Sequence, residues 1–530
     1  MIDLLRHRFF CLVFVSLFWA SAYADLETPV ADTLSLWVMD NGVGSQKAVQ
    51  RIVKKFHKET GIHVKVQTLN WSSAFTVISK AFENPDSAEG LPDVIQLGST
   101  WVAHFAAAGL IRPIDSLMVS VDSSRFFVEA YKNTHVDGQP GTFSIPWFVD
   151  IRGLFANERL WFGLGLKDDD ISTYPKFLGT LKTVAKSGVK NARNESVAPF
   201  ALPGKDDWTG PQEMAPLIWN HGGRFLVKTA NGYRSGLVDS TTLRGISLYV
   251  QIMGDTLLAP YSLMENSAQN AERYIKSRQL LLYGTSELIR QLEFDENVGG
   301  LKSSELSEDG ILVVNPPKGP AGQFSFLGGS HLALPVKRDT TKLEASQNLL
   351  VYLVRADNID AYSRQVGFLP SDKSIIRIWN QDKRYSQLVK NLENGRGFLN
   401  IPEWCSVENI LSEFSNNVGK ILSNNKNRNV RAEKIAESLL DVHKRINAKL
   451  SYVDSLNDAE ILAAIKLAIL QEIALDVPET EKSAVVEDSL PVAKWRFANF
   501  IFILVPSAIV VAVLLLGLKF YWKKKKENKS

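Results

Sequence analysis

The chain of 530 residues holds two cysteines, one of them, Cys11, in an N-terminal apolar stretch that is expected to be removed. Cys405 then stands alone, which excludes an internal disulfide. Cys11 also lacks the small residues that precede a lipoprotein cleavage site, so attachment through a lipid is not expected. Charge of one sign is scarce too: 60 Lys and Arg offset 57 Asp and Glu, for a formal net charge of +3. Basic residues cluster only at the extreme C-terminus, which makes nucleic acid a poor candidate partner. No His-Glu-x-x-His, Gly-x-Ser-x-Gly or phosphate-cradling glycine loop occurs, and the eight His are scattered. Carboxylate pairs are as plentiful as chance makes them, and runs such as KDDD (167–170) read as solvated loops. These absences argue against an enzyme and imply no metal and no cofactor. Internal repeats and low-complexity runs are missing as well.

What is present starts with size: 530 residues exceed what one hydrophobic core usually serves, and 45% hydrophobic with 22% charged residues fits an ordinary globular chain. Residues 1–24 place Arg6, His7 and Arg8 before the apolar run FFCLVFVSLFWA and end on Ala22-Tyr23-Ala24, the pattern of a signal peptide cleaved before Asp25. The alternative, an uncleaved anchor, asks a run of about a dozen residues to cross a bilayer that takes about 20. Near the other end, residues 497–518 (FANFIFILVPSAIVVAVLLLGL) carry no charge, and as a helix would extend about 33 Å, enough to span. Pro506 is compatible with a membrane helix, where neighbouring groups satisfy the freed carbonyl. Lys519, Lys523, Lys524, Lys525, Lys526 and Lys529 follow it, against Lys494 and Arg496 before it, so the 519–530 tail is expected in the cytoplasm and the large domain outside. A buried helix of a soluble domain is the plain alternative for 497–518.

Between these ends the pattern is wound α/β. TLSLWVM (33–39) alternates like a strand; Val49, Ile52, Val53 and Phe56 recur at helical spacing in 44–61; IHVKVQTL (62–69) and DVIQLG (93–98) are strands again. Further strands are expected at GTFSIPW, GLFANE, QLLLYG, GILVVNPP and SHLALP. Helices are expected around 209–221, 241–254, 266–276, 343–356, 406–421, 428–449 and 457–476, the last capped by Asn457 or Asp458. Residues 476–491 read as an acidic linker. In FSFLGGSHLALP (324–335) two apolar runs are broken by Gly328 and Gly329, and paired glycines cost stability unless bare backbone is required there.

In that order, ETGIHVKVQTLNW (59–71), LPDVIQLGSTWVAHFAAAGLIRPID (91–115), GQPGTFSIPWFVDIRGLFANERL (138–160), APFALPG (198–204), LIWNHGGRFL (217–226), FSFLGGSHLALP and VGFLPS (366–371) resemble the extracellular solute-binding proteins that deliver sugars to ABC importers, the group that includes maltose-binding protein. The likeness runs from about 33 to 450. It implies a two-lobed periplasmic-binding-protein-like fold of type II with a hinge between lobes, to which 497–518 adds one transmembrane helix. By analogy the solute-binding domain is 25–450, with lobe one at about 33–147 and 285–333 and lobe two at about 150–283 and 334–450. Residues 451–496 then form a helix and linker. Closure of such lobes on a ligand is a known way of reporting occupancy.

A sugar needs flat apolar faces for its C–H side and fixed polar groups for its hydroxyls. Trp71, Trp101, Trp147 and Trp208 are the candidate faces among twelve Trp, each with core packing as the plain alternative. Asp150, in PWFVDIRGLFAN, resembles the family aspartate that accepts sugar hydroxyls, the alternative being an ion pair with Arg152. Asp40 and Asn41 end the first strand as polar contacts or as a turn; Tyr283 and Thr285 sit where the family crosses between lobes. Phe326 stands where some members have Trp, and Asp372 where some have Arg. Gly328 and Gly329 would bring bare N–H groups to the ligand, or form a tight turn. The expected function is therefore an exported, membrane-anchored receptor that captures a mono- or oligosaccharide and presents it to ABC permease subunits. A sugar sensor or scaffold acting through another membrane protein is the alternative that the unusual anchor suggests, and a secreted glycoside hydrolase the remote one.

Overall fold

The structure is a computed structural model that describes residues 33–85, 90–337 and 340–473. The expected signal at 1–24, the acidic linker 476–491, the apolar stretch 497–518 and the tail 519–530 lie outside those residues. Among the described residues no helix is long and apolar enough to cross a membrane.

The described chain forms two compact units. The first comprises 33–151, 285–303 and 327–405; the second comprises 152–284, 304–326 and 406–473. The chain crosses between units after 151 and after 284, beside the crossings expected near 150 and 284. Residues 334–405, expected in lobe two, fall in the first unit, and 304–326, expected in lobe one, fall in the second. The reason for the first is pairing: the short strand β11 (Leu369–Pro370) hydrogen-bonds to β4 (Ile145–Ile151), and Tyr362 stacks on Trp147 with ring centroids 4.1 Å apart. For the second, β9 (Ile311–Val314) pairs with β5 (Gly153–Asn157).

The first unit is built on a seven-stranded sheet in the order β11-β4-β10-β3-β1-β2, with β12 (Gly395–Arg396) beside β10. Strands β1 (Thr33–Met39), β2 (His63–Leu69) and β3 (Val94–Gly98) run parallel, while β10 (Ser325–Ala333) runs antiparallel to both β3 and β4. Between β1 and β2 the helix Ser45–Thr60 buries Val49, Ile52, Val53 and Phe56, the face its spacing announced. It stops because Gly61 takes φ 77° and returns its N–H to the His57 carbonyl. After β2, Asn70 caps the helix Trp71–Glu83 by accepting from the Ser72 N–H, which sets Trp71 at the first helical position.

Gly328 and Gly329 do not break the strand. β10 is continuous from Ser325 to Ala333, with a register irregularity between Ser330 and His331 opposite β4. A Cβ on Gly329 would stand 2.4 Å from the Phe148 carbonyl oxygen, and its φ is 147°. The close approach that demands a bare residue is thus made by the neighbouring strand β4.

The second unit carries the antiparallel sheet β8-β5-β9, in which β8 is Leu281–Gly284, and a hairpin of β6 (Leu226–Thr229) and β7 (Gly232–Ser235). Helices Gly210–Asn220 and Ser240–Gly254 pack together, Gly245 lying so close to the Ile218 backbone that a Cβ would meet it at 2.4 Å. Helices Arg428–Lys449 and Asp458–Leu470 complete this unit.

Candidate functional site

In open sheets with parallel strands, ligands gather outside the strands' carboxyl ends. In the first unit those ends carry Asp40 after β1, Trp71 after β2 and Trp101 after β3. Because β10 is antiparallel to both β3 and β4, β4 runs parallel to β3, and Asp150 near its end, opposite Gly328, lies on the same edge. Five of the expected residues, Asp40, Trp71, Trp101, Asp150 and Gly328, therefore share one edge of one sheet.

The two indoles are half-buried and meet edge to face with ring centroids 5.5 Å apart. Phe75, one turn after Trp71, adds a third ring 5.5 Å from Trp101. Gly98 lies beneath both rings: a Cβ there would stand in van der Waals contact with Trp101 at 3.4 Å and Trp71 at 3.5 Å. Edge-to-face packing of this kind contributes about 0.5–1.5 kcal/mol beyond area burial, so the rings are held before any ligand arrives.

Asn41, expected as a polar contact or part of a turn, is buried. It is 2% exposed and is the hub of a buried network: its Oδ1 accepts from Trp71 Nε1 at 3.0 Å and its Nδ2 donates to the Tyr362 hydroxyl at 2.7 Å. Gln96 on β3 accepts from the Met39 N–H at 2.8 Å and donates to Ser330 Oγ on β10 at 2.7 Å, tying three strands together. The role of Asn41 is to orient Trp71. Tyr362, Gln96 and Ser330 were missed; a glutamine inside the apolar strand DVIQLG was the signal available for one of them. Asp40 is exposed and accepts from the Gly42 N–H and the Ser45 hydroxyl, a turn that still presents a carboxylate.

Trp147 is corrected more fully. It is 0% exposed and stacked on Tyr362, so it is a core residue. Phe326, 3% exposed, is likewise buried. Asp372 is 1% exposed, caps the helix Lys373–Trp379 and pairs with Arg125 at 2.6 Å, which accounts for a carboxylate at that place. Gly329 answers to strand packing rather than to a ligand. Thr285 is half-buried in the first unit, its carbonyl accepting from the Leu288 N–H.

In the second unit Trp208 is 56% exposed on a loop fixed from several sides. Asp207 accepts from the Thr209 N–H at 2.7 Å and the Ser267 N–H at 2.6 Å, and exchanges bonds with Asn416. Ser412 Oγ donates to the Trp208 carbonyl at 3.2 Å. Arg152 donates to Gln212 at 2.7 Å and lies 3.8 Å from Glu213. Burial, and then the nearby Glu213 carboxylate, push the Tyr283 phenol far up, so it stays protonated and can act as a donor. Among the described residues no group of three or more His, Cys, Asp or Glu is placed to hold a metal ion.

The described chain passes between its two α/β units at 151, 284, 303, 326 and 405. Solved structures share that fold: the maltose-bound MalE3 of T. maritima has a TM-score of 0.64 at 14% identity, covering 78% of this chain and 99% of its own. The GacH receptor of Streptomyces glaucescens, known unliganded and with acarbose, has a TM-score of 0.64 at 19% identity, covering 80% and 100%. A curated relative, the diacetylchitobiose binding protein DasA of Streptomyces coelicolor, is 22% identical over 379 residues, 71% of this chain and 82% of DasA. Residues 41–287, a little under half of the chain, match the family described as bacterial extracellular solute-binding protein.

Proposed function

We propose that the protein is an exported, non-catalytic carbohydrate receptor, anchored by 497–518, that captures a mono- or oligosaccharide and delivers it to an ABC importer. The observation that carries this reading is the preorganised edge of the first unit, where Trp71 and Trp101 supply ring faces and Asp40 and Asp150 supply carboxylates. Carboxylates accept sugar hydroxyls through charge-assisted bonds that contribute about 1.5–3 kcal/mol each. Trp208 in the second unit supplies a further exposed ring, and the Tyr283 phenol and Thr285 hydroxyl further polar groups. The sugars bound by DasA, MalE3 and GacH support a β- or α-linked oligosaccharide or an analogue of one as ligand. An anchor holds such a receptor near its permease and raises their effective concentration.

The test is calorimetry of residues 25–490 against diacetylchitobiose, maltose, maltotriose and acarbose, with the same sugars assayed for turnover. Saturable binding without turnover is expected. Co-purification of the full chain with a permease supports delivery; co-purification with a sensory membrane protein instead favours the sensing alternative.

A further inference from the structure

The chain does not trail away from the second unit after the last helix among the described residues. Asp458–Leu470 is capped at its start by Asn457, whose side chain accepts from the Ala459 N–H, and buries Ile461, Ile465 and Ile469 along one stripe. That stripe packs on the helices Ser240–Gly254 and Arg428–Lys449. The last four carbonyls of any helix lack partners within it and are commonly met by water or one capping group. Here two neighbouring helices grip them. Ser247 Oγ lies 2.7 Å from the Ala468 carbonyl and 3.1 Å from that of Gln471, and Arg428 donates to the Leu470 carbonyl at 2.6 Å.

The grip extends past the helix. Gln251 binds the main chain of Ile473 from both sides: its Oε1 accepts from the Ile473 N–H at 3.0 Å, and its Nε2 donates to the Ile473 carbonyl at 3.3 Å. Arg428 also pairs with Glu472 at 3.2 Å, and Lys466 with Glu433 at 2.9 Å. Helix termination does not require a side-chain amide that holds a residue three positions beyond the last helical one. Holding the departing chain at a fixed point does.

We propose that residues 458–473 are a mount that fixes the departing chain to the second unit through Ser247, Gln251 and Arg428, so that the membrane tether loads the protein through that unit. The inference rests on the anchored reading for its biological meaning, though the mount itself is independent of it. Between Ile473 and residue 497 lie residues 474–496, which as a fully extended chain reach at most about 80 Å. The second unit is thereby held within that distance of the bilayer, while the first unit receives the tether only through the second.

The experiment uses the full chain in nanodiscs, comparing wild type with Ser247→Ala/Gln251→Ala by amide hydrogen exchange and limited proteolysis. In the wild type, amides over 461–473 should exchange at least tenfold more slowly than the intrinsic rate of an unprotected peptide, and protease should leave 458–473 uncut. In the double variant, exchange over 468–473 should rise at least tenfold and cleavage should appear within 458–473, with sugar affinity unchanged. Equal exchange in the two proteins, or wild-type residues 468–473 exchanging at the intrinsic rate, overturns the mount. Because the variant removes no buried apolar contact, it is expected to fold; Arg428→Gln gives the same readout independently. Alkaline extraction of membranes reads the anchor separately: release of the wild-type chain ends the anchored reading and with it the loading of the tether through the second unit, while leaving the exchange result intact.

Discussion

Gly329→Val separates a strand-packing role from a ligand-approach role for the paired glycines. A Cβ at this position would stand 2.4 Å from the Phe148 carbonyl oxygen and 3.1 Å from Val149 Cα, both in the backbone of the adjacent strand, so neither can step aside as a side-chain tip would. The φ of 147° is, in addition, a conformation that L-residues rarely adopt. Holding a non-glycine residue in such a region costs about 1–3 kcal/mol, and forcing extra volume into a packed strand pair costs about 1–3 kcal/mol more. The variant should thus lose about 2–6 kcal/mol, a large share of the 5–15 kcal/mol typical of a domain. Denaturant unfolding of residues 25–490, followed by tryptophan fluorescence, measures it, with buried Trp147 reporting on the first unit. A change of less than about 1 kcal/mol, together with a large loss of sugar affinity, would refute the packing argument and restore the ligand role.

Two further outcomes follow from buried charge. Arg125→Ala leaves the Asp372 carboxylate, 1% exposed, without its guanidinium, and should cost about 3–5 kcal/mol by the same unfolding assay. His331, fully buried beside Ser144 Oγ at 3.0 Å, has its imidazole pKa lowered to about 3 by desolvation. A lowered histidine pKa means the unfolded chain binds the proton first, so stability is fully present above pH 6.5 and declines as pH falls toward 3. Between pH 7 and pH 5 the loss should be about 2 kcal/mol. Unfolding free energies measured at both pH values in wild type and in His331→Gln check this, the variant losing that slope.

Local periodicity reported the α/β units well. The span of β1 and the buried face of the helix after it follow directly from Val49, Ile52, Val53 and Phe56, because each is a local pattern with one solution. The edge that carries Trp71 and Trp101 was legible for the same reason: both residues sit just past strands that the pattern located. What was hidden depends on residues far apart in sequence. Asn41 and Tyr362 are separated by 321 positions, and their bond at 2.7 Å turns a residue read as a polar contact or turn into a buried hub. Trp147 could not be told from Trp71 and Trp101 by composition; its complete burial and its stack on Tyr362 show it to be core. The paired glycines looked like an interruption because the strand that crowds them, β4, lies some 180 residues earlier in the chain.

The central claim is that a sugar rests on the ring faces at the strand ends of the first unit. Calorimetry of wild type and Trp71→Ala against the sugar panel tests it most directly. The account predicts one-to-one binding of at least one sugar with Kd below a millimolar, no turnover, and at least a tenfold loss of affinity in the variant, about 1.4 kcal/mol, with its fold retained. Absence of binding at millimolar sugar, hydrolysis of the sugar, or equal affinity in a folded Trp71→Ala protein would contradict it.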